Sequence, residues 1–141
     1  MHVTFRSSIE EIGVEQLSGH FFDGWPNPPS LATFMKLLEQ SYAVELAIDE
    51  ESNQVVGFIQ AISDGVLSAY IPLLEVVPSY QGKGIGASLL ERMLHRLQHL
   101  YMIDLLCDVE MQNFYEKQGM IKASGMLMRN YSNQSGAAGS S

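Results

Sequence analysis

The chain has one cysteine, Cys107, among 141 residues. That excludes an intrachain disulfide and a four-cysteine metal site, and nothing here requires an oxidising compartment. Basic residues are also scarce: 8 Lys and Arg against 16 Asp and Glu leave a net charge of −8. A nucleic-acid surface needs clustered cations, so no nucleic-acid partner is expected, and the acidity tilts toward cationic small partners. No apolar run reaches the roughly 18 residues of a membrane span, and MHVTFRSSIEE lacks the order of a signal peptide. The expectation is therefore a cytoplasmic protein with no membrane partner. The four histidines (His2, His20, His95 and His99) show no ligand constellation, since 95 and 99 share one exposed helix face without further ligands, and no metal is expected.

What is present reads as one mixed α/β domain over residues 1–131, with a tail, 132–141, that lacks an apolar anchor and is expected to be disordered. A first strand over 2–6 precedes a helix capped by Ser7 or Ser8 and reaching Leu17. GHFFDGWPNPPS (19–30) is a loop, and Ser30 caps a helix with Leu31, Phe34, Met35 and Leu38 on one stripe. YAVELAID (42–49) and QVVGFIQAIS (54–63) form an antiparallel hairpin. SAYIPLLEVVP (68–78) reads as a strand buried in the sheet centre, apolar apart from Glu75. Ile85, Leu89, Leu90, Met93, Leu94 and Leu97 line a helix that covers the sheet. YMIDLLCD (101–108) returns by a right-handed crossover, parallel to the third strand, pairing 102–107 with 71–77. A short helix closed by Gly119 and one or two strands within 120–131 complete the order.

Between strand and helix stands QGKGIG (81–86). Its G-x-G-x-G spacing misses the dinucleotide fingerprint and the P-loop, and Asp104, inside its strand, is misplaced for a ribose-binding acid. Bare amides running into a helix N-terminus, with Lys83 beside them, suit a phosphate or pyrophosphate. The glycines alone are equally consistent with a tight turn and close helix–sheet packing.

LEVVPSYQGKGIG (74–86) resembles the acyl-CoA signature of the GNAT superfamily of N-acyltransferases, and NFYEKQGM (113–120) resembles the same family's second signature. The resemblance spans Val3 to about Tyr131. It implies a GNAT-type α+β fold: a central mixed, mostly antiparallel sheet with one splayed parallel pair and helices on both faces. It also implies acetyl-CoA as acyl donor, with backbone amides of Gln81, Gly82, Lys83, Gly84, Ile85, Gly86 and Ala87 around the pyrophosphate. The pantetheine arm would pair along Val76 and Val77, and an amide near Val76 would stabilise the oxyanion of a tetrahedral intermediate.

Tyr115 maps onto the family's usual general acid; by spacing alone, with Met111 and Phe114, it reads as core. A protonated amine acceptor needs a base, and Glu75, the one charge in an apolar strand, is the first candidate, the alternative being an ion pair with Arg129. Asp23, Trp25, Asp64, Tyr70 and Asp108 are candidates for the acceptor pocket, although Trp25 can instead anchor its loop and Asp23 form a turn. Cys107 reads as a buried, inert thiol. The chain departs from the family pattern in carrying Val109 where an asparagine is common and Gln81 where arginine is common. The expected activity is direct acetyl transfer to a primary amine in a ternary complex. The alternative is a non-catalytic acyl-CoA-binding module. Homodimerisation is compatible with the exposed methionines near the C-terminus.

Overall fold

The computed structural model describes residues 1–17 and 19–137. Six strands and three helices are assigned among them: β1 (Val3–Arg6), α1 (Leu31–Glu39), β2 (Ala43–Asp49), β3 (Gln54–Ser63), β4 (Ser68–Tyr70), β5 (Leu74–Val76), α2 (Ile85–Arg96), β6 (Met102–Asp104) and α3 (Gln112–Glu116). Pairing is antiparallel from β1 to β2 to β3, and from β3 to both β4 and β5; β4 and β6 run parallel. The sheet is thus mixed and mostly antiparallel, with α1 on one face and α2 on the other.

Periodicity explains the helices. In α1, Ser30 caps the first turn by accepting the Thr33 N–H at 3.1 Å, and Phe34 and Leu38 are buried beside Phe58 of β3. Leu31, expected on the same stripe, is exposed because it occupies the first turn. In α2, Ile85, Leu89, Leu90 and Met93 are buried, followed by Leu97 at the C-cap. Gly57 in β3 lets that helix approach: a Cβ there would lie 3.1 Å from Leu89 Cδ1 and 3.2 Å from Ile85 Cγ2. One buried charge ties α2 to β2. Glu45, 1% exposed, accepts from Arg96 Nη1 at 2.8 Å and from Ser7 Oγ at 2.9 Å.

Five expectations are corrected. The helix over 8–17 shrinks to a 3₁₀ turn at Val14–Leu17, because Ser8 Oγ accepts the Glu10 N–H two residues on and Glu11 takes a φ of 67°. The strand over 68–78 is two strands separated at Pro72, which has no N–H for the ladder. Consequently the parallel pair is 68–70 with 102–104, not 71–77 with 102–107. The strand over 101–108 is correspondingly short, since residues 105–108 have lost their neighbour. No strand is assigned within 120–131; this stretch runs as an exposed arm. Of the tail expected to be disordered, Gln134 Oε1 accepts the Asn27 N–H at 3.0 Å next to a 3₁₀ turn at Tyr131–Asn133, and residues 138–141 lie outside the described residues.

Candidate active site

The break at Pro72 is what makes a site. The Ile71 N–H donates to the Asp104 carbonyl at 3.0 Å, and beyond that bond the two chains part: no backbone hydrogen bond joins 72–76 to 105–108 among the described residues. β5 then stays with β3 on one side only. Backbone groups alternate sides along a strand. The Leu73 carbonyl accepts from the Gln60 N–H and the Val77 N–H donates to the Val56 carbonyl, so odd positions face β3. Leu74 and Val76 therefore turn their backbone groups to the open edge.

This alternation places Val76 and Val77 differently. Val77 has no free backbone group, because its N–H is bonded to Val56 and its carbonyl accepts the Tyr80 N–H at 2.8 Å. Leu74 is the residue whose backbone groups share the open edge with those of Val76, and only the register against β3 could have shown it. The Val76 carbonyl is itself engaged, accepting from Gln81 Nε2 at 2.9 Å, which leaves the Val76 N–H as the open donor. Gln81 thus joins the free edge to the glycine loop.

In that loop Gly82 and Gly84 have φ values of 77° and 83°, and a Cβ added at either would meet nothing within 4 Å. The glycines serve backbone conformation in open space, not tight packing. Gly84 caps α2 in the left-handed region, so the amides of Ile85, Gly86 and Ala87 open outward at the positive end of a 12-residue helix. Lys83 borders a shallow depression of about 200 Å³ beside them, shared with Met1, Val3, Phe5 and Ser88. A second tie holds the loop: the Tyr80 hydroxyl donates to Asp49 Oδ2 at 2.5 Å, which keeps the Asp49 carboxyl below its usual range.

Tyr115 and Phe114 of α3, like Leu74, Val76 and Leu105, are partly buried against the α2-side core, and their rings meet edge to face at 5.0 Å. Burial, then the proximity of Cys107 and Glu75, pushes the Tyr115 phenol up to about 12. The structure therefore brings Tyr115, Glu75 and Cys107 together. Cys107 is exposed, not buried, and shares with Tyr115 the wall of a cavity of about 100 Å³. Glu75 sits opposite Phe58 on the α1 face, and burial raises its carboxyl above the ordinary 4.5. Arg129 lies elsewhere, donating to the Met128 carbonyl, and no cation neutralises Glu75 among the described residues.

The acceptor candidates divide. Trp25 packs edge-on against Phe22 at 4.9 Å, and Phe22 against Phe34 and Phe58, so Trp25 anchors its loop on the face that Glu75 shares. Asp23 is exposed and pairs with His20 at 3.3 Å. Asp64 is a turn former: its Oδ1 accepts the N–H groups of Val66, Leu67 and Ser68, which lowers its pKa. It also lies six residues along from the Glu75 partner Phe58, roughly 20 Å at strand rise. Tyr70 lines a different cleft, beside β6. Asp108 is exposed at the start of the 3₁₀ turn Val109–Met111 that precedes α3.

Residues 12–120 match the family model described as acetyltransferase (GNAT) family. The chain belongs to that family. A crystal structure from Deinococcus radiodurans R1, an acetyltransferase by name, is 42% identical, covers 94% of this chain and 92% of its own, and superposes with a TM-score of 0.89. The uncharacterized N-acetyltransferase ycf52 of Pyropia yezoensis is 28% identical over 125 residues, 86% of this chain and 71% of that protein. The histone acetyltransferase TAP1 of Glycine max is 30% identical over 107 residues, 68% of this chain. This GNAT acetyltransferase spans only 46% of the TAP1 length.

Proposed function

We propose that this GNAT acetyltransferase moves an acetyl group from acetyl-CoA to a primary amine by direct attack in a ternary complex. The observation that carries the reading is the open edge of β5, with the free Val76 N–H between the glycine loop, Tyr115 and Glu75. The chain's groups fit coenzyme A: unbonded amides at the α2 N-terminus for a pyrophosphate, Lys83 for a further anionic group, and the Leu74–Val76 edge for an amide-bearing arm. When bound, acetyl-CoA supplies an activated acyl group.

The remaining chemistry belongs to the protein. The Val76 N–H is a fixed donor for developing negative charge on a carbonyl oxygen. Glu75, raised by burial and unpaired by any cation, accepts a proton from the ammonium of the acceptor, directly or through water. Tyr115, at about 12, remains a phenol at neutral pH and donates its hydroxyl hydrogen toward the departing sulfur. Full transfer to a thiolate near about 8.5 is uphill for such a phenol, so hydrogen bonding carries most of the stabilisation. Asp23, near Trp25 on the Glu75 face, suits a cationic acceptor. We place the enzyme in the cytoplasm and assign it a small or peptidyl amine substrate.

Calorimetric titration with acetyl-CoA and with free CoA, followed by thiol release across a panel of amines, tests the proposal. Binding with release for one amine class supports it. Binding without release on any amine favours a non-catalytic acyl-CoA-binding module, and no binding refutes both.

A further inference from the structure

The amides assigned to the cofactor begin in a loop with little to hold it. A Cβ at Gly82 or Gly84 would meet nothing within 4 Å, and no backbone hydrogen bond joins 82–84 to a strand among the described residues. The fastening lies just upstream, at Tyr80. Pro78 opens a 3₁₀ turn over Pro78–Tyr80, closed by the Tyr80 N–H on the Val77 carbonyl at 2.8 Å. From this turn the Tyr80 ring packs against both layers of the core, and no other partly buried side chain among the described residues borders the α1-side and α2-side clusters together.

The Tyr80 hydroxyl reaches further than its ring. Strand β3 lies between β5 and β2, yet Tyr80 Oη donates to Asp49 Oδ2 at 2.5 Å, 31 residues away at the end of β2. That acceptor is itself fixed. Asp49 is 4% exposed, and its Oδ1 accepts the His2 N–H at 3.3 Å and the Glu51 N–H at 3.1 Å. No cation lies within ion-pair distance of Asp49 among the described residues, so its charge is met at contact by O–H and N–H donors, and bonds to an ionised acceptor belong to the strong class. The same bond pushes the Tyr80 phenol above its ordinary 10, which keeps the hydroxyl a donor to Asp49 at neutral pH. Gln81, the next residue, bonds the Val76 carbonyl. Consecutive side chains thus fasten the start of the glycine loop in two directions, to β2 and to the open β5 edge.

We propose that Tyr80 is a positioning residue for acetyl-CoA: its bond to Asp49 fixes where the amides of the glycine loop point, and so sets affinity for the cofactor without entering acetyl transfer. This inference rests on the acetyl-CoA reading of the site. A loop that must be ordered when the ligand arrives gives up affinity to that ordering, whereas a loop already held does not. The hydroxyl is bonded to Asp49 at the β2–β3 turn, so its effect on the ligand passes through the backbone and not by contact.

Tyr80→Phe removes the hydroxyl and keeps the ring, and Asp49→Asn keeps the shape of the acceptor while removing its charge. Both are compared with the wild type by calorimetric titration with acetyl-CoA, kcat at saturating acetyl-CoA, urea unfolding, and NMR relaxation of the Gly82 and Gly84 amides. The expected result is a Kd raised about tenfold in each variant, a kcat within about twofold of wild type, and greater motion at Gly82 and Gly84. The double variant should bind about as weakly as Tyr80→Phe alone, since both changes remove one bond. A lowered unfolding midpoint with Kd and relaxation unchanged would make Tyr80 merely structural and overturn the proposal. So would a kcat loss at unaltered Kd. A wild type that binds no acetyl-CoA refutes the reading of the site and this inference with it, whereas equal binding by wild type and Tyr80→Phe refutes the inference alone.

Discussion

Replacing Tyr115 by Phe separates the role of its hydroxyl from that of its ring. The Tyr115 hydroxyl makes no hydrogen bond among the described residues, while its ring packs edge to face on Phe114 and against the α2-side core. Removal of the oxygen therefore leaves packing intact, and the stability change is expected within about 0.5 kcal/mol. Catalysis is expected to respond differently. A positioned acid contributes on the order of 10²- to 10⁴-fold, or about 3–5 kcal/mol of barrier at 1.36 kcal/mol per decade. The assay is thiol release with the amine that supports turnover, alongside calorimetric acetyl-CoA affinity and urea unfolding of the same sample. The expected pattern is a kcat lowered at least 100-fold, with cofactor affinity and unfolding midpoint unchanged. Because the wild-type phenol sits at about 12, its rate should also show no alkaline limb from this group below about pH 11. A Tyr115→Phe enzyme within about threefold of wild-type kcat would show that the ring is only core and that the acid is water or another group.

Glu75→Gln should lower kcat/KM by about 10²- to 10⁴-fold and abolish the acid limb of the pH profile. A carboxyl raised by burial holds its proton to higher pH in the folded than in the unfolded chain; its contribution to stability is complete below the ordinary 4.5 and is lost as pH rises through the folded value. Gln at this position should therefore raise Tm at pH 7.5 and leave it unchanged at pH 4; equal shifts at both pH values would contradict a buried, unpaired carboxylate. Gly84→Ala places a Cβ in open space but at a φ of 83°, a strain of about 1–2 kcal/mol, so acetyl-CoA KM should rise about tenfold with kcat spared. An unchanged KM would remove the amides at 84–87 from the cofactor site. Arg96→Met strands the buried Glu45 and should cost about 3–5 kcal/mol in urea unfolding, whereas loss of less than about 1 kcal/mol would mean that water reaches Glu45.

The elements written plainly in the sequence are those whose signal is local. The stripe of α2, the Ser30 cap and the 42–63 hairpin each follow from a period or a cap within a few residues of itself. The glycine loop and the tyrosine helix were legible for the same reason. What stayed hidden depends on partners distant in sequence. SAYIPLLEVVP is apolar enough to read as one strand, and the cost of Pro72 emerges only when Ile71 is seen bonding Asp104 while Leu73 bonds Gln60. Likewise MIKASGMLMRNY has the composition of a strand, but a strand needs a bonded neighbour, and this segment makes no backbone hydrogen bond to the β6 edge among the described residues. The turn-forming role of Asp64 was hidden too, because an exposed acid at a turn looks the same in sequence whether it meets a ligand or three backbone amides.

Pro72 connects these observations through one physical cause. A continuous strand over 68–77 would satisfy both of its edges, against β3 and against the 102–108 segment, and no backbone donor would remain for a ligand. Proline removes one ladder bond at the point where the strand changes neighbours, so the upstream half keeps β6 while the downstream half keeps only β3. The freed edge at Leu74 and Val76 lies on the same chain segment that runs, five residues later, into the glycine loop, and Gln81 reaches back to bond the Val76 carbonyl. The candidate anion site and the open strand edge are thereby held in a fixed relation by about ten residues of continuous chain. The same divergence leaves residues 105–108 without a neighbouring strand among the described residues and puts Cys107 and Tyr115 on a common cavity wall. Restoring an N–H at this position, as in Pro72→Val, would favour closure of the ladder, so a loss of acetyl-CoA affinity without loss of stability is the outcome this reasoning requires.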